Sequence, residues 1–314
     1  MKICILGAGS LGSAIGGTLA EAGMEVILVN HRQDYVDTIN SKGLIITDGT
    51  TERLVKAQAR RKCEGIGPVD LLIILVKSFH TKQAIENAKG LIGDKTIVMS
   101  LQNGLGNEET IAEVIGKERI LAGKTYVGGV LLGPGRVLAG TQNKYTYIGE
   151  LDGSITDRVT QVAKLFSKAG LLTVVSHNIM GILWDKLLIN TATGALSGIT
   201  RLTYGNLYKV SEIKECAFEA IAEGIAVAKA NGIVLATENP EEIWLKAAEG
   251  LPADFKTSTL QSLEKMSVTE IDYINGAIVR YGKKCNIPTP VNQSLVASIK
   301  GIEYQLKNVE GLVD

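Results

Sequence analysis

The sequence predicts an α/β protein with a doubly wound sheet, followed by an all-helical domain. Gly7, Gly9 and Gly12 form G-x-G-x-x-G between a short apolar run and a segment rich in Ala, Gly and Leu. Strand-like and helical segments then alternate to about residue 175, and helical periodicity dominates from there to the end. This order of elements is typical of a Rossmann-type domain with a second domain attached. We therefore predict a dinucleotide-binding domain over residues 1–176 and a helical domain over residues 177–314.

The first βα unit carries the cofactor prediction. Residues 2–6 are predicted to form a buried strand and residues 13–22 a helix. The first glycine allows a tight turn, the second lets the backbone approach a pyrophosphate, and the third permits close helix–strand packing. The phosphates would lie at the helix N-terminus, which favours anions. The alternative is a glycine turn that binds nothing. The predicted cofactor-binding loop comprises Gly7, Ala8, Gly9, Ser10, Leu11 and Gly12.

The tip of the second strand, predicted over residues 25–29, bears on the choice of cofactor. A carboxylate for the ribose hydroxyls of NAD is expected about 20 residues beyond the glycines. The sequence has Asn30, His31 and Arg32 there. Arg32 can bind a 2′-phosphate in a bidentate manner, so NADP(H) is favoured over NAD(H). A solvated loop arginine is the alternative, and the nearby Asp34 keeps NAD(H) open.

Two later strands end in polar residues. Residues 70–76 and 95–101 are continuous apolar runs, as expected for central parallel strands buried on both faces. The first ends in Lys77 and the second in Gln102-Asn103-Gly104, at strand ends where α/β proteins bind ligands. A helix is predicted over residues 36–41 and another over residues 157–169. The remaining predicted strands are residues 44–46, 54–57, 120–130, 135–139, 145–148 and 172–175, of which the three between 120 and 148 are expected to complete the sheet.

Composition excludes several classes of protein. The 33 Lys and Arg residues balance the 33 Asp and Glu residues, so no net charge attracts nucleic acid or an anionic membrane. The four cysteines are far apart and form no C-x-x-C pair, which indicates reduced thiols in a reducing compartment. Three scattered histidines do not form a metal site. No apolar run approaches transmembrane length, and the first strand begins too early for a signal peptide. We expect a cytoplasmic protein without metal.

The helical part carries a lysine in an apolar stripe. Helical spacing over residues 179–195 places Ile182, Lys186, Asn190 and Thr193 on one face. Burial pushes the pKa of a lysine downward, which makes it a usable proton donor near neutral pH. The alternative is a lysine whose stem covers apolar surface while its ammonium reaches water.

A glutamate interrupts a second stripe. Helices are predicted over residues 209–230, 240–248, 259–265 continuing into 269–284, and 290–306. In the third of these, Glu270 is spaced with Leu263, Met266, Ile274 and Ile278. A carboxylate there needs a partner, which can be a structural cation or cap, or a substrate hydroxyl.

These residues together resemble the ketopantoate reductases (2-dehydropantoate 2-reductases) over essentially the full chain. The motifs that carry the resemblance are the glycine loop, Val76-Lys77-Ser78-Phe79, Gln102-Asn103-Gly104, Trp184-Asp185-Lys186-Leu-Leu-Ile-Asn190, and Ser258-Thr-Leu-Gln261 with Thr269-Glu270-Ile-Asp272-Tyr-Ile-Asn-Gly276. The resemblance implies NADPH-dependent reduction of the ketone of ketopantoate to pantoate, a step toward pantothenate and coenzyme A.

The resemblance also implies roles for single residues. Lys186 corresponds to the catalytic lysine, a general acid toward the ketone oxygen, and Glu270 to the catalytic glutamate, which binds and orients substrate. Lys77 corresponds to a lysine that lines the cofactor cleft, and the predicted cofactor-binding residues outside the glycine loop are His31, Arg32, Lys77 and Asn103. The implied substrate-binding residues are Asn103, Lys186, Asn190, Ser258 and Glu270.

Two positions depart from the family pattern. The family commonly has a second asparagine one turn after Asn190, where this chain has Gly194, so a substrate hydrogen bond is missing or comes from Thr193 or water. His31 occupies the position of the family's 2′-phosphate-binding arginine, with Arg32 next to it.

Two alternative functions remain open from sequence. A related reductase would use the same lysine and glutamate on another 2-keto acid. A non-catalytic NADP-binding regulator would keep the glycines but would not need Lys186 and Glu270 on inward stripes. The expected partner is a small-molecule 2-keto acid, without nucleic acid or membrane. Apolar surface on the helical domain could support a homodimer.

Overall fold

The computed structural model describes residues 1–309. The chain divides into two compact units. The N-terminal unit comprises Met1–Gln102 and Asn107–Ile179, and the helical unit comprises Asn103–Gly106 and the chain from Met180 onward.

An eight-stranded sheet forms the centre of the N-terminal unit. Its spatial order is β12-β11-β8-β7-β6-β1-β2-β5, with parallel pairing from β8 through β5 and antiparallel pairing of β11 with β8. The strands are β1 (Lys2–Leu6), β2 (Glu25–Val29), β5 (Gln58–Arg60), β6 (Leu71–Ile74), β7 (Ile97–Ser100), β8 (Ile120–Thr125), β11 (Thr146–Glu150) and β12 (Thr173–Val175).

Helices cover both faces of this sheet. Alternate residues of β1 enter two separate cores, Ile3 and Ile5 on one face and Cys4 and Leu6 on the other. This burial on both faces explains why the central strands are continuous apolar runs. The helices are α1 (Ser10–Glu21), α2 (Gln33–Lys42), α3 (Thr81–Asn87), α4 (Asn107–Ile115) and α5 (Asp157–Lys168). The predicted doubly wound architecture is confirmed.

A second sheet of four strands corrects part of the strand prediction. It has the order β4-β3-β10-β9, with β3 (Leu44–Thr47), β4 (Glu52–Val55), β9 (Gly128–Gly133) and β10 (Arg136–Gly140). The expectation that the strands between residues 120 and 148 complete the main sheet was wrong for β9 and β10. The predicted strand over residues 120–130 is two strands that belong to different sheets. Gly129 allows β9 to approach α1, because a Cβ there would lie 2.4 Å from the carbonyl oxygen of Ser10.

The helical unit packs long helices closely. A Cβ on Gly224 would lie 2.5 Å from Leu188 Cδ2 and 3.0 Å from Ile278 Cδ1, so glycine lets three helices meet. The helices are α6 (Ile179–Thr200), α7 (Tyr204–Leu207), α8 (Ser211–Ala230), α9 (Pro240–Ala248), α10 (Ser258–Glu264), α11 (Asn275–Cys285) and α12 (Pro290–Val309). Within residues 1–309, no helix is both long enough and apolar enough to span a bilayer.

The predicted helix over residues 259–284 is broken in the structure. α10 ends at Glu264, Met266 takes a left-handed φ of 54°, and a 3₁₀ turn at Ile271–Tyr273 precedes α11. A continuous helix cannot include a left-handed residue, so Glu270 does not belong to the helical stripe that its spacing predicted.

Candidate active site

The glycine loop has the geometry that its sequence predicts. Gly7 has a φ of +98°, and a Cβ there would lie 2.5 Å from the backbone nitrogen of Val76. A Cβ on Gly12 would lie 2.4 Å from the carbonyl oxygen of Gly7. A Cβ on Gly9 would have nothing within 4 Å. Two of the glycines are therefore required by contacts inside the unit, and the third borders space that a pyrophosphate can occupy.

The tip of β2 is tied to this loop. The side chain of Asn30, 9% exposed, donates to the carbonyl oxygen of Ala8 (2.7 Å) and accepts the backbone N–H of Arg32 (2.9 Å). His31 is exposed. The Arg32 guanidinium binds the carboxylate of Asp34, with Nε 3.1 Å from Oδ1 and Nη2 on Oδ2. Asn30 thus brings the predicted residues His31 and Arg32 next to the glycine loop.

The ends of β6 and β7 are joined by hydrogen bonds. Gln102 Nε2 donates to the carbonyl oxygen of Val76 (2.9 Å) and to Thr81 Oγ1 (2.7 Å). Lys77 directly follows Val76 and is exposed, and Asn103 directly follows Gln102 and is half-buried. The predicted cofactor residue Lys77 is therefore carried by a strand end that is fixed to the neighbouring strand end.

A buried glutamate near this network was missed by the sequence analysis. Glu108, in the first turn of α4, is 4% exposed, and its Oε2 has no hydrogen-bond partner. Burial raises its pKa to about 7, opposed by hydrogen bonds from its own backbone N–H and from Ser100. The Asn107-Glu108-Glu109 run is typical of an exposed helix start, so the burial of Glu108 could not be inferred from its neighbours in sequence.

α6 carries the predicted catalytic lysine. Lys186 and Asn190 are one helical turn apart and half-buried. Thr193, on the same face, is 2% exposed, and its hydroxyl lies 3.1 Å from the hydroxyl of Tyr204. Lys186 therefore lies on a face that becomes progressively more buried toward the end of the helix.

Gly194 brings α6 against α10. A Cβ on Gly194 would lie 3.2 Å from Thr259 Oγ1 and would meet no other atom within 4 Å. Ser258, the predicted substrate residue that precedes Thr259, is exposed at the start of α10. The face that carries Asn190 is thus close to the start of α10, as a shared substrate site would require.

Glu270 is buried although it lies outside any helix. It is 9% exposed and directly precedes the 3₁₀ turn. The preceding residue is fixed, since the backbone N–H and the hydroxyl of Thr269 donate to Glu303 Oε1 (2.8 and 2.6 Å). The backbone next to Glu270 is therefore anchored, and the residue is buried without helical geometry.

Comparison with known proteins identifies the family. Residues 3–153 match the family model described as ketopantoate reductase PanE/ApbA, and residues 178–303 match its C-terminal counterpart. The chain belongs to the ketopantoate reductase family. A 2-dehydropantoate 2-reductase of Pyrococcus horikoshii is 37% identical over 303 residues, which cover 96% of this chain and 98% of the relative. The protein is accordingly an oxidoreductase, and the resemblance inferred from its motifs is confirmed.

Two solved structures are similar over almost the whole chain. A PanE/ApbA family ketopantoate reductase from Ralstonia eutropha JMP134 has a TM-score of 0.90 and 34% identity, covering 98% of this chain and 100% of that one. A D-mandelate dehydrogenase with NADH and anilino(oxo)acetate also has a TM-score of 0.90, with 29% identity and the same coverage. The family and the second structure support a nicotinamide cofactor for this chain.

Proposed function

We propose that the protein uses NADPH to reduce 2-dehydropantoate to pantoate, in the synthesis of pantothenate and coenzyme A. The observation that carries this proposal is a half-buried lysine, Lys186, one turn before Asn190, in a chain whose two parts both match the ketopantoate reductase family. NADPH supplies the hydride when it is bound. The protein's own residues must then place the ketone and supply a proton.

Lys186 is the proposed general acid. Hydride addition to the ketone carbon leaves negative charge on the ketone oxygen, and an ammonium beside that oxygen stabilises the charge. The Lys186 ammonium then donates its proton to the oxygen, which forms the hydroxyl, and regains a proton from water. Because Lys186 is half-buried, its ammonium is partly shielded from water beside the ketone oxygen, and the amine can still regain a proton from water.

Glu270 is the proposed substrate-orienting residue. Its carboxylate can accept a hydrogen bond from a hydroxyl of the substrate, and Thr269, held by Glu303, anchors the backbone beside it. Asn103, Asn190 and Ser258 are proposed to contact the same substrate. The proposed cofactor ligands are the glycine loop with His31, Arg32, Lys77 and Asn103. The homodimer stays a prediction.

Absorbance of NADPH at 340 nm tests the proposal, with ketopantoate as the substrate and Lys186→Ala as the variant. Because the variant lacks the acid, kcat should fall by about 100-fold or more, while NADPH binding stays within about twofold. Lys186→Arg keeps the charge but holds its proton too tightly to replace the acid, so it should remain slow. Lys246→Ala, which removes an exposed lysine of α9, is the matched control. Near-normal turnover by Lys186→Ala would overturn the assignment.

Gly194 favours a second candidate function, reduction of a different 2-keto acid. A Cβ at this position would lie 3.2 Å from Thr259 Oγ1, and glycine provides no side-chain amide for a substrate there. A similar structure is a D-mandelate dehydrogenase, whose name refers to a substrate with an aromatic substituent.

We therefore propose assaying 2-ketoisovalerate and benzoylformate beside ketopantoate. If turnover depends on Lys186 but is faster with one of these acids, the proposed mechanism stands and the substrate assignment changes. NADPH binding without turnover of any acid would support the non-catalytic regulator.

A further inference from the structure

A run of three cationic residues begins at the last residue of β5, next to the tip of β2. β5 pairs in parallel with β2, and Val29 is the partner of Arg60. Parallel neighbours end at the same edge of a sheet, so the residues after each strand are neighbours too. The backbone N–H of Asn30 donates to the carbonyl oxygen of Arg60 (3.0 Å), and Arg61 Nε donates to the carbonyl oxygen of His31 (3.2 Å). The sequence Arg60-Arg61-Lys62 therefore borders Asn30 and His31 in space.

This edge is the place where a Rossmann-type domain meets the adenosine ribose of its cofactor. A carboxylate at the tip of β2 would accept the ribose hydroxyls of NAD and would repel a 2′-phosphate. Asn30 occupies this tip as a neutral side chain, and its amide is already used by Ala8 and Arg32. The tip therefore offers no negative charge of its own to oppose a phosphate.

Arg32 and Arg61 differ in what their guanidinium groups already bind. Arg32 is half-exposed and holds the carboxylate of Asp34 through both Nε and Nη2, so a phosphate must compete with that carboxylate. Arg61 is exposed and uses only Nε, for the carbonyl oxygen of His31. Across residues 1–309, no carboxylate forms an ion pair with Arg61. Its two Nη groups therefore keep the fork that binds phosphate oxygens in a bidentate manner.

We propose that Arg61 is the principal ligand of the 2′-phosphate of NADP(H), with Arg32 contributing less because Asp34 already occupies it. The inference rests on the proposed use of NADPH. Arg61 would then decide the preference for NADP(H) over NAD(H). It lies about 30 residues beyond the tip of β2, which usually decides that preference, and the pairing of β5 with β2 brings it to the ribose site. The hydrogen bond to His31 fixes the base of the guanidinium and leaves its outer edge toward solvent.

Binding of cofactor fragments tests Arg61 without turnover. Isothermal titration calorimetry of the full chain would compare 2′,5′-ADP, which carries the 2′-phosphate, with 5′-AMP, which lacks it. Arg61→Ala should raise the Kd of 2′,5′-ADP about tenfold or more, because it removes charge-assisted hydrogen bonds, and should leave the Kd of 5′-AMP within about twofold. Arg61→Lys should recover part of the loss, since it keeps the charge without the fork.

Arg32→Ala is the matched comparison. It should raise the Kd of 2′,5′-ADP by no more than about threefold, because loss of Arg32 leaves the Arg61 fork in place. A larger loss from Arg32→Ala than from Arg61→Ala would overturn the inference, as would equal effects of Arg61→Ala on both fragments. Because Arg61 is exposed, far-UV circular dichroism of the variant should match the wild type, which separates binding from folding.

Failure of this inference is distinguishable from failure of the proposed reaction. If the wild type binds 2′,5′-ADP through Arg61 but reduces no 2-keto acid, the substrate assignment fails and the phosphate ligand stands. If Lys186-dependent turnover proceeds equally well with NADH and NADPH and 2′,5′-ADP binds no better than 5′-AMP, the reaction class stands and the role of Arg61 fails.

Discussion

Replacing Glu108 by glutamine should change how the stability of the N-terminal unit depends on pH. In the structure this side chain is enclosed at the start of α4, with one carboxylate oxygen lacking a partner. Burial raises its pKa from the ordinary value of 4.5 to about 7. Glutamine has nearly the same shape and does not ionise, so the variant isolates the effect of the charge.

The magnitude follows from proton linkage. A folded-state pKa above the unfolded one means that the contribution of Glu108 to stability is fully present below about pH 4.5. It is lost as the pH rises through about 7. Over the whole titration the loss is about 3 kcal/mol in the free energy of unfolding, and most of it falls between pH 5 and 8. Glu108→Gln should therefore gain stability relative to wild type by about that amount at the higher pH.

Urea unfolding at several pH values between 5 and 8 measures this difference. Both tryptophans, Trp184 and Trp244, lie in helices of the helical unit, so their fluorescence follows that unit. Far-UV circular dichroism, or hydrogen exchange of peptides from α4 and β7, is needed to follow the N-terminal unit. Glu113→Gln, an exposed glutamate of the same helix, is the matched control and should follow the wild-type profile. Parallel pH profiles for wild type and Glu108→Gln would refute the reasoning.

The remaining predictions concern the glycine loop and the cysteines. Gly12→Ala should destabilise the protein by about 2 kcal/mol or more, because its Cβ would press on a carbonyl oxygen 2.4 Å away. Gly9→Ala, with open space around it, should fold normally but raise the Kd of NADPH about tenfold or more in a fluorescence titration. Unchanged NADPH affinity in Gly9→Ala would contradict the cofactor loop. In thiol labelling at pH 8, Cys285 should react well before Cys4 and Cys63. Burial raises the pKa of the Cys63 thiol to about 11, and burial also raises the pKa of the Cys4 thiol. Early labelling of Cys4 in folded protein would show that its strand opens.

Local sequence was sufficient to predict the parts of the fold that depend on neighbours along the chain. The glycine loop and the apolar strands β1, β6 and β7 have their predicted type and order. The tight turn requires glycines, and burial on both faces requires continuous apolar residues, so both can be recognised from local sequence. The separate sheet of β3, β4, β9 and β10 was not predictable this way. Its strands look like any others, and their partners are chosen by tertiary packing.

The same distinction applies to the candidate site. Glu270 is spaced as if on a helix, and its burial agrees with that pattern, but the left-handed Met266 shows that another backbone produces it. Arg61 belongs to a basic run that is typical of a solvated turn, and only the pairing of β5 with β2 shows that it lies beside the tip of β2. Apolar periodicity reports that a residue is buried, and it does not report which backbone buries it.

The four residues Asn103–Gly106 have a consequence for how the chain folds during synthesis. They belong to the helical unit, where the backbone N–H of Leu105 donates to the carbonyl oxygen of Tyr273 (2.9 Å) and Gly104 has no room for a side chain beside the same residue. On the ribosome this segment emerges long before its partner. The helical unit therefore cannot be completed until nearly all of the chain has been made, and a fragment that begins at residue 180 lacks a part of its own core. Vectorial folding of this protein should accordingly keep Leu105 exposed to chaperones until late in translation.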